Sequence, residues 1–298
     1  MHSFYRPMEV AFGQGESQNL TRMLGHDRPT EPTVKARFGE GINANLYYPK
    51  RPTSSRPAKL PAVLWLGPLS CSGGYTGFYG VAPIRELTDA DFIVLCYDPI
   101  GTGNRQYERR EFYDKYPKWS LVGKMVLDAR HALDVLTQSP DVDRKQVYLM
   151  GHAMGGMVAT FVAARDFRLA GSAVVAGFTP MRGDSDTAGT GGIRRYSHLY
   201  GWLPRLGPFV GQERRVPVDF DEILALAAPR PTLIVSPKRD WHADAGEVAF
   251  AVGRARTVYA ALGAEDALRI ISEEDTWNRL TDTTMQKVTD WLKGQHRR

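Results

Sequence analysis

Residues 146–159, QVYLMGHAMGGMVA, carry the pattern that is most informative about chemistry. An apolar run leads into Gly-His-Ala-Met-Gly-Gly at 151–156, and the small residues there let a backbone turn sharply without clashes. This order predicts a strand, a tight turn and a helix. The nucleophile elbow Gly-x-Ser-x-Gly has the same layout and presents a serine that attacks carbonyl groups. Here the apex is Ala153, which carries no nucleophilic oxygen. A plain strand-to-helix turn is the alternative interpretation.

The hexapeptide resembles the Gly-His-Ser-Met-Gly-Gly elbow of many α/β-hydrolases, with only the serine changed. Residues 143–149 resemble the approach to that elbow, and residues 97–105, YDPIGTGNR, resemble the turn after the preceding strand. The resemblance extends from about residue 34 to residue 292. Within the superfamily, GFTPMR at 177–182 and APRP at 228–231 look most like the dienelactone-hydrolase and acetyl-xylan-esterase-like branch. The resemblance implies an α/β-hydrolase fold and a carboxylic-ester hydrolase.

An acyl-transfer site also needs amide donors that face the developing oxyanion. The backbone N–H of Met154, directly after the apex, is one expected donor. The second is expected from the loop after the first parallel strand, residues 67–70, where Pro68 has no N–H and Leu69 or Ser70 must supply it. A surface loop with no such role is the alternative.

The triad order nucleophile, acid, base that the resemblance implies places the acid after a late strand, where Asp240 stands. A solvated loop aspartate is the alternative. The family's histidine follows the last strand, but residues 273–280 contain none, and Asn278 resembles the occupant of that slot. Since asparagine cannot accept a proton near pH 7, His242 on the acid loop becomes the candidate base. An exposed loop histidine without function is the alternative there.

The hydrophobic pattern predicts the elements that position these residues. Residues 34–38 and 43–48 alternate on either side of glycines at 39 and 41, which predicts an antiparallel hairpin. Continuous apolar runs separated by helical segments then predict strands buried on both faces of a mostly parallel, doubly wound sheet. These runs cover residues 62–66, 92–97, 147–150, 172–176, 232–236 and 268–272. Two of the helices are expected over residues 120–136 and 282–292. We predict a hydrolase domain over residues 34–298 that follows an N-terminal extension, residues 1–33.

Residues 182–217 break this rhythm and predict a cap-like insertion over the carboxyl edge of the sheet, where ligands bind in this architecture. Arginine forks suit carboxylates or phosphates, and aromatic rings suit sugar faces or acyl groups. The substrate-binding candidates are Arg194, Arg195, Tyr196, His198 and Trp202. They suggest an anionic or carbohydrate-linked ester. In the alternative, the insertion is a solvated cap whose arginines pair with Asp184, Asp186 and Glu213.

The composition is that of an ordinary globular enzyme, with 298 residues of which 43% are hydrophobic and 24% charged. The net charge is +5, but lysines and arginines are scattered among acids, which argues against a nucleic-acid partner. The first residues lack a signal-peptide core and no run approaches the ~20 apolar residues of a membrane span. We therefore expect no membrane partner and a cytoplasmic location, unless a signal peptide was removed. Cys71 and Cys96 are expected to be free core thiols, and no metal-ligand spacing or cofactor motif occurs.

Three functions fit these residues. The leading hypothesis is an esterase-type hydrolase of a small-molecule ester, in which alanine replaces the serine at position 153. The second is a naturally non-catalytic binding protein, which the missing histidine after the last strand favours independently. The third is a lyase that uses the oxyanion hole without a serine nucleophile. The fold alone does not decide among them, because function depends on the residues of the site. The sequence is also compatible with a homo-oligomer.

Overall fold

The structure is a computed structural model that describes residues 31–50, 59–69, 73–76, 82–274 and 276–296. The predicted N-terminal extension therefore lies almost wholly outside the described residues. Ser70 and Cys71 also lie outside them. Cys96 is buried and free, as expected for a core thiol.

The described chain forms one mixed sheet of eight strands, in the order β1-β2-β4-β3-β5-β6-β7-β8. The strands are β1 (Thr33–Phe38), β2 (Ile42–Tyr47), β3 (Leu60–Leu66), β4 (Ile93–Tyr97), β5 (Val142–His152), β6 (Gly171–Val175), β7 (Thr232–Pro237) and β8 (Leu268–Glu273). Strands β1 and β2 form the predicted hairpin, and β2 is antiparallel to β4. All other neighbours pair in parallel. The predicted hairpin and parallel runs are therefore confirmed.

Helices cover both faces of this sheet. They are α1 (Ile84–Asp89), α2 (Phe112–Lys115), α3 (Leu121–Gln138), α4 (Met154–Arg165), α5 (Phe220–Ala225), α6 (Ala245–Ala261) and α7 (Asp282–His296). Apolar residues of α3, α4, α5 and α6 pack in one core layer, and those of α1 and α7 pack in the other. Alternate residues of β3 serve the two layers, since Leu64 lies in the first and Trp65 in the second. No helix in the described ranges has both the length and the apolar character that a membrane crossing requires.

The segment that interrupts the strand-helix rhythm follows β6 and contains three short helical turns, Arg195–Leu199, Pro204–Phe209 and Glu213–Arg215. Arg182 joins its two ends, because the guanidinium donates to the carbonyl oxygens of Val216 and Pro217 at 2.9 and 3.0 Å. The backbone N–H of Val122, at the start of α3, donates to the Trp202 carbonyl oxygen at 3.3 Å. The insertion is thus closed at its base and packed against the start of α3.

Candidate functional site

The turn between β5 and α4 holds Ala153 in a backbone conformation that L-residues rarely adopt, with φ of 50° and ψ of −117°. Its N–H donates to the Val175 carbonyl oxygen at 2.9 Å, which ties the apex to β6. A Cβ atom on Gly151 would overlap the Gly155 carbonyl oxygen, and one on Gly155 would overlap the Leu66 carbonyl oxygen. The glycines therefore permit the close approach that forms the turn. A strained residue of this kind costs about 1–3 kcal/mol and indicates a functional position.

Two of the expected oxyanion donors, Met154 and Leu69, belong to described segments next to the elbow. Met154 is the first residue of α4 and is buried, and Leu69 is half-buried in the loop after β3. The register of β3 on β5 sets Leu66 opposite Gly151, so the residues after β3 emerge beside the elbow. Leu69 and Met154 thus belong to neighbouring segments at the carboxyl edge, as an oxyanion hole requires.

Asp98 anchors the far end of the loop after β3. Its carboxylate accepts the N–H of Tyr75 and the N–H of Asn104, each at 3.0 Å. The Tyr75 hydroxyl also interacts with the side chains of Asn45 and Tyr47 on β2. The described end of the loop after β3, residues 73–76, is therefore held to the β2–β4 side of the sheet.

Asp240 and Asn278 face each other across the loops that follow β7 and β8. The Asn278 Nδ2 atom lies 3.4 Å from Asp240 Oδ1 and 3.2 Å from Oδ2. The backbone N–H of His242 donates to Asp240 Oδ1 at 2.8 Å, while the His242 side chain is exposed. Burial raises the pKa of Asp240, and the donors from His242 and Asn278 oppose that rise. The structure thus brings the candidate acid into contact with the asparagine in the base slot, and with His242 through its main chain.

His152 lies next to Asn278, a contact that sequence reasoning missed. The side chain and backbone of Asn278 both interact with its imidazole, yet burial dominates and lowers the pKa of His152 to about 4. Within the described residues, His152 Nε2 and Asn278 Oδ1 are buried without a hydrogen-bond partner. An imidazole that is neutral near pH 7 therefore lies beside Asn278. Local sequence patterns do not predict this contact, because the two residues come from distant segments.

The loops after β7 and β8 also carry two exposed tryptophans that sequence reasoning did not identify. Trp241 follows the candidate acid and Trp277 precedes Asn278, and the two side chains are 50% and 42% exposed. Their ring centroids are 5.0 Å apart and the rings meet edge to face. Exposed aromatic rings such as these offer flat apolar surface to a ligand.

The substrate-binding candidates of the insertion separate into buried and exposed residues. Arg195 is buried and pairs with Asp184 at 3.3 Å, and its guanidinium lies 4.6 Å from the Tyr196 ring centroid. Tyr196 is buried in turn, and its ring stacks on Trp202 with centroids 6.1 Å apart.

Arg194 and His198 are the exposed members of this set. Arg194 pairs with Asp186 at 2.9 Å, and His198 Nδ1 shares a 2.8 Å hydrogen bond with the Ser197 hydroxyl. The pairs of Arg194 and Arg195 match the alternative of a self-paired cap. Glu213 accepts the N–H of Gly211. Across the described ranges, no three His, Cys, Asp or Glu side chains are grouped as metal ligands would be.

Comparison with known proteins identifies the family of the chain. The model of the Alpha/beta hydrolase family matches residues 65–294. The chain is 27% identical over 199 residues to carbohydrate esterase MZ0003 from an unknown prokaryotic organism, covering 62% of this chain and 43% of that protein. It spans less than two thirds of the length of the curated relatives it matches.

Among solved structures, a carbohydrate esterase family 15 glucuronoyl esterase from Caldicellulosiruptor kristjansonii aligns with a TM-score of 0.64 and 19% identity, covering 94% of this chain and 84% of that one. A dienelactone hydrolase from Klebsiella pneumoniae subsp. pneumoniae MGH 78578 aligns with a TM-score of 0.56 and 13% identity, covering 88% and 98%. At these identities the structural likeness shows the fold alone. The family model covers most of the chain, and the chain therefore belongs to the α/β-hydrolase family.

Proposed function

We propose that this chain is an esterase-type α/β-hydrolase for a carbohydrate-linked or anionic carboxylic ester, in a form that lacks its serine nucleophile. The observation that carries the proposal is the backbone of Ala153, which keeps the strained geometry of a nucleophile elbow around a methyl group. The similarity to carbohydrate esterase MZ0003 supports the substrate class.

With serine at position 153, the hydroxyl oxygen would attack the ester carbonyl carbon while a base accepts its proton. The N–H groups of Met154 and of Leu69 or Ser70 would stabilise the oxyanion. The alcohol leaves with that proton, and water then hydrolyses the acyl-enzyme. Ala153 offers no oxygen for the first step, so an ester that binds at this elbow stays intact.

Two residues compete for the role of base in the serine form. Of these two residues, only His242 has a side chain that can accept a proton near pH 7. Asn278 occupies the place next to the Asp240 carboxylate, where an acid orients an imidazole in triads. This contact with Asp240 favours position 278 as the place of the catalytic base in the serine form.

A naturally non-catalytic binding protein is the second candidate function. The bond between Asn278 and Asp240 favours it, because a second triad position then carries a residue that cannot do the chemistry. In this case the site would bind an ester or its parent acid without turnover.

Restoring the triad separates the two functions. We expect Ala153→Ser together with Asn278→His to raise the hydrolysis of p-nitrophenyl acetate by about 10⁴-fold over the parent chain, since loss of a triad member costs about that much. Ala153→Ser with Asn278→Gln is the matched control, because glutamine fills the slot without accepting a proton. A folded double variant that hydrolyses no faster than this control would reject the esterase proposal in favour of the binding protein.

A further inference from the structure

A polar cavity of about 350 Å³ lies on the β2–β4 side of the sheet. Its walls come from the turn between β1 and β2, the loop after β4, and helices α2 and α3. Asp98, which anchors the loop after β3, forms part of its lining. The volume falls in the range of small-molecule sites, about 300–1,000 Å³. The function proposed above makes no use of this cavity.

Two of the three cations in the cavity wall, Arg105 and Lys124, are paired with carboxylates. Arg105 pairs with Asp128 at 2.9 Å and with Glu108 at 2.7 Å. Lys124 pairs with Asp128 at 2.8 Å and with Glu40 at 3.0 Å. An anionic ligand at Arg105 or Lys124 would therefore have to displace a carboxylate. The third cation, the exposed Lys115, lies 5.0 Å from the Tyr116 ring centroid.

The carboxylates of the cavity wall can still accept hydrogen bonds from a ligand in the cavity. The Tyr116 hydroxyl donates to Glu40 at 3.0 Å, and the hydrogen bonds from Lys124 and Tyr116 lower the pKa of this carboxyl. The side chains of Glu40 and Glu108 are nevertheless 61% and 49% exposed. Each carboxylate oxygen accepts more than one hydrogen bond, so both can also accept from a ligand.

The exposed part of the lining combines further acceptors with amide donors. Asn43, Asn104 and Glu111 are exposed there. The described lining carries four carboxylates and three cationic side chains, so the charge is close to balanced. A hydroxyl group both donates and accepts, whereas a charged ligand of either sign would meet like charges. Such a surface suits a neutral ligand with many hydroxyl groups.

We propose that this cavity binds a neutral saccharide unit of the ester's carbohydrate portion. The cavity lies at the carboxyl end of β4, which the strand order β4-β3-β5 separates by one strand from β5 and the elbow, on the opposite side from the β7 loop that carries Asp240. This inference rests on the proposed function, which supplies the carbohydrate-linked ester. It adds to the elbow a second subsite on the β2–β4 side of the sheet.

The test measures saccharide binding to the full chain as it stands. Xylobiose and cellobiose serve as neutral probes, glucuronic acid as the anionic probe and glucosamine as the cationic probe, with titrations followed by calorimetry and ligand-observed NMR. We expect a neutral disaccharide to bind, and Asn43→Ala with Glu111→Ala to weaken it by about tenfold or more, because two hydrogen-bonding groups are lost. Glu265→Ala, at an exposed carboxylate before β8, is the matched control and should leave the affinity unchanged.

Three results would overturn the proposal: no binding of either disaccharide, tighter binding of glucuronic acid or glucosamine that the cavity substitutions also weaken, or equal disaccharide affinity in the cavity variant and the control. The assay needs no ester cleavage, so its outcome is independent of the nucleophile. Conversely, p-nitrophenyl acetate carries no sugar, and its hydrolysis by the restored triad should be the same with and without the cavity substitutions. The two proposals can therefore fail separately.

Discussion

Asn278 directs its Nδ2 atom at both carboxylate oxygens of Asp240, at 3.4 and 3.2 Å. The two residues follow neighbouring parallel strands, β7 and β8, so this contact is set by the sheet edge and not by sequence proximity. An imidazole at position 278 would meet the same carboxylate, which is the contact that orients a catalytic histidine.

The first prediction concerns the choice between the two bases. In the Ala153→Ser, Asn278→His variant, we expect His242→Ala to leave the hydrolysis rate unchanged, because the exposed His242 side chain is then not the proton acceptor. The measurement is kcat/KM for p-nitrophenyl acetate against pH, with a limb expected at about pH 6 to 7.5. If Ala153→Ser alone shows a limb that His242→Ala removes, His242 is the base; that limb should lie below the ordinary histidine range, because burial lowers the pKa of His242.

The second prediction concerns stability toward acid. The pKa of His152 is lowered from 6.5 to about 4 in the folded chain, so the unfolded chain binds more protons between these pH values. Folding stability should therefore fall as pH decreases through this window, by up to about 3 kcal/mol from this residue, and should be fully retained above it. Urea unfolding at a series of pH values measures the effect.

His152→Gln should make the stability less dependent on pH across that window, whereas the exposed His198→Gln should keep the parent's slope. Identical slopes in both variants would show that another group causes the acid sensitivity.

The third prediction separates two adjacent arginines of the insertion. Arg195→Gln should destabilise the chain by about 3–5 kcal/mol, because it leaves the buried Asp184 carboxylate unpaired. Arg194→Gln should cost at most about 1 kcal/mol, since its pair with Asp186 is solvent-exposed. Thermal unfolding of the two variants provides the comparison, and equal losses would contradict the assignment of Arg195 to the buried core of the cap.

The fourth prediction concerns the packing of the elbow. Gly155→Ala should destabilise the chain by about 3 kcal/mol or more, because the new methyl group would overlap the Leu66 carbonyl oxygen on the neighbouring strand. Gly253→Ala, at an exposed site in α6 with open space around it, should instead stabilise the chain by about 0.5–1 kcal/mol. A Gly155→Ala variant as stable as the parent would show that the elbow tolerates separation from β3.

Local patterns predicted the strands and the elbow because buried parallel strands and tight turns depend on short apolar runs and on glycines close in sequence. The contact between His152 and Asn278 and the Trp241–Trp277 pair could not be predicted in this way, because each joins residues that lie far apart in the sequence. Arg194 and Arg195 show the same limit. They are neighbours of identical type, and only the folded insertion decides that one pairs in solvent and the other in the interior.

The conformation of Ala153 is imposed by the glycines and by the bond to Val175, and a methyl group in place of a hydroxyl leaves both intact. On the proposed function, an ester that enters the site would also leave it uncleaved. The immobilised chain would then act as a capture reagent: passed over a mixture of natural esters, it would retain its own ligand whole, ready for identification by mass spectrometry.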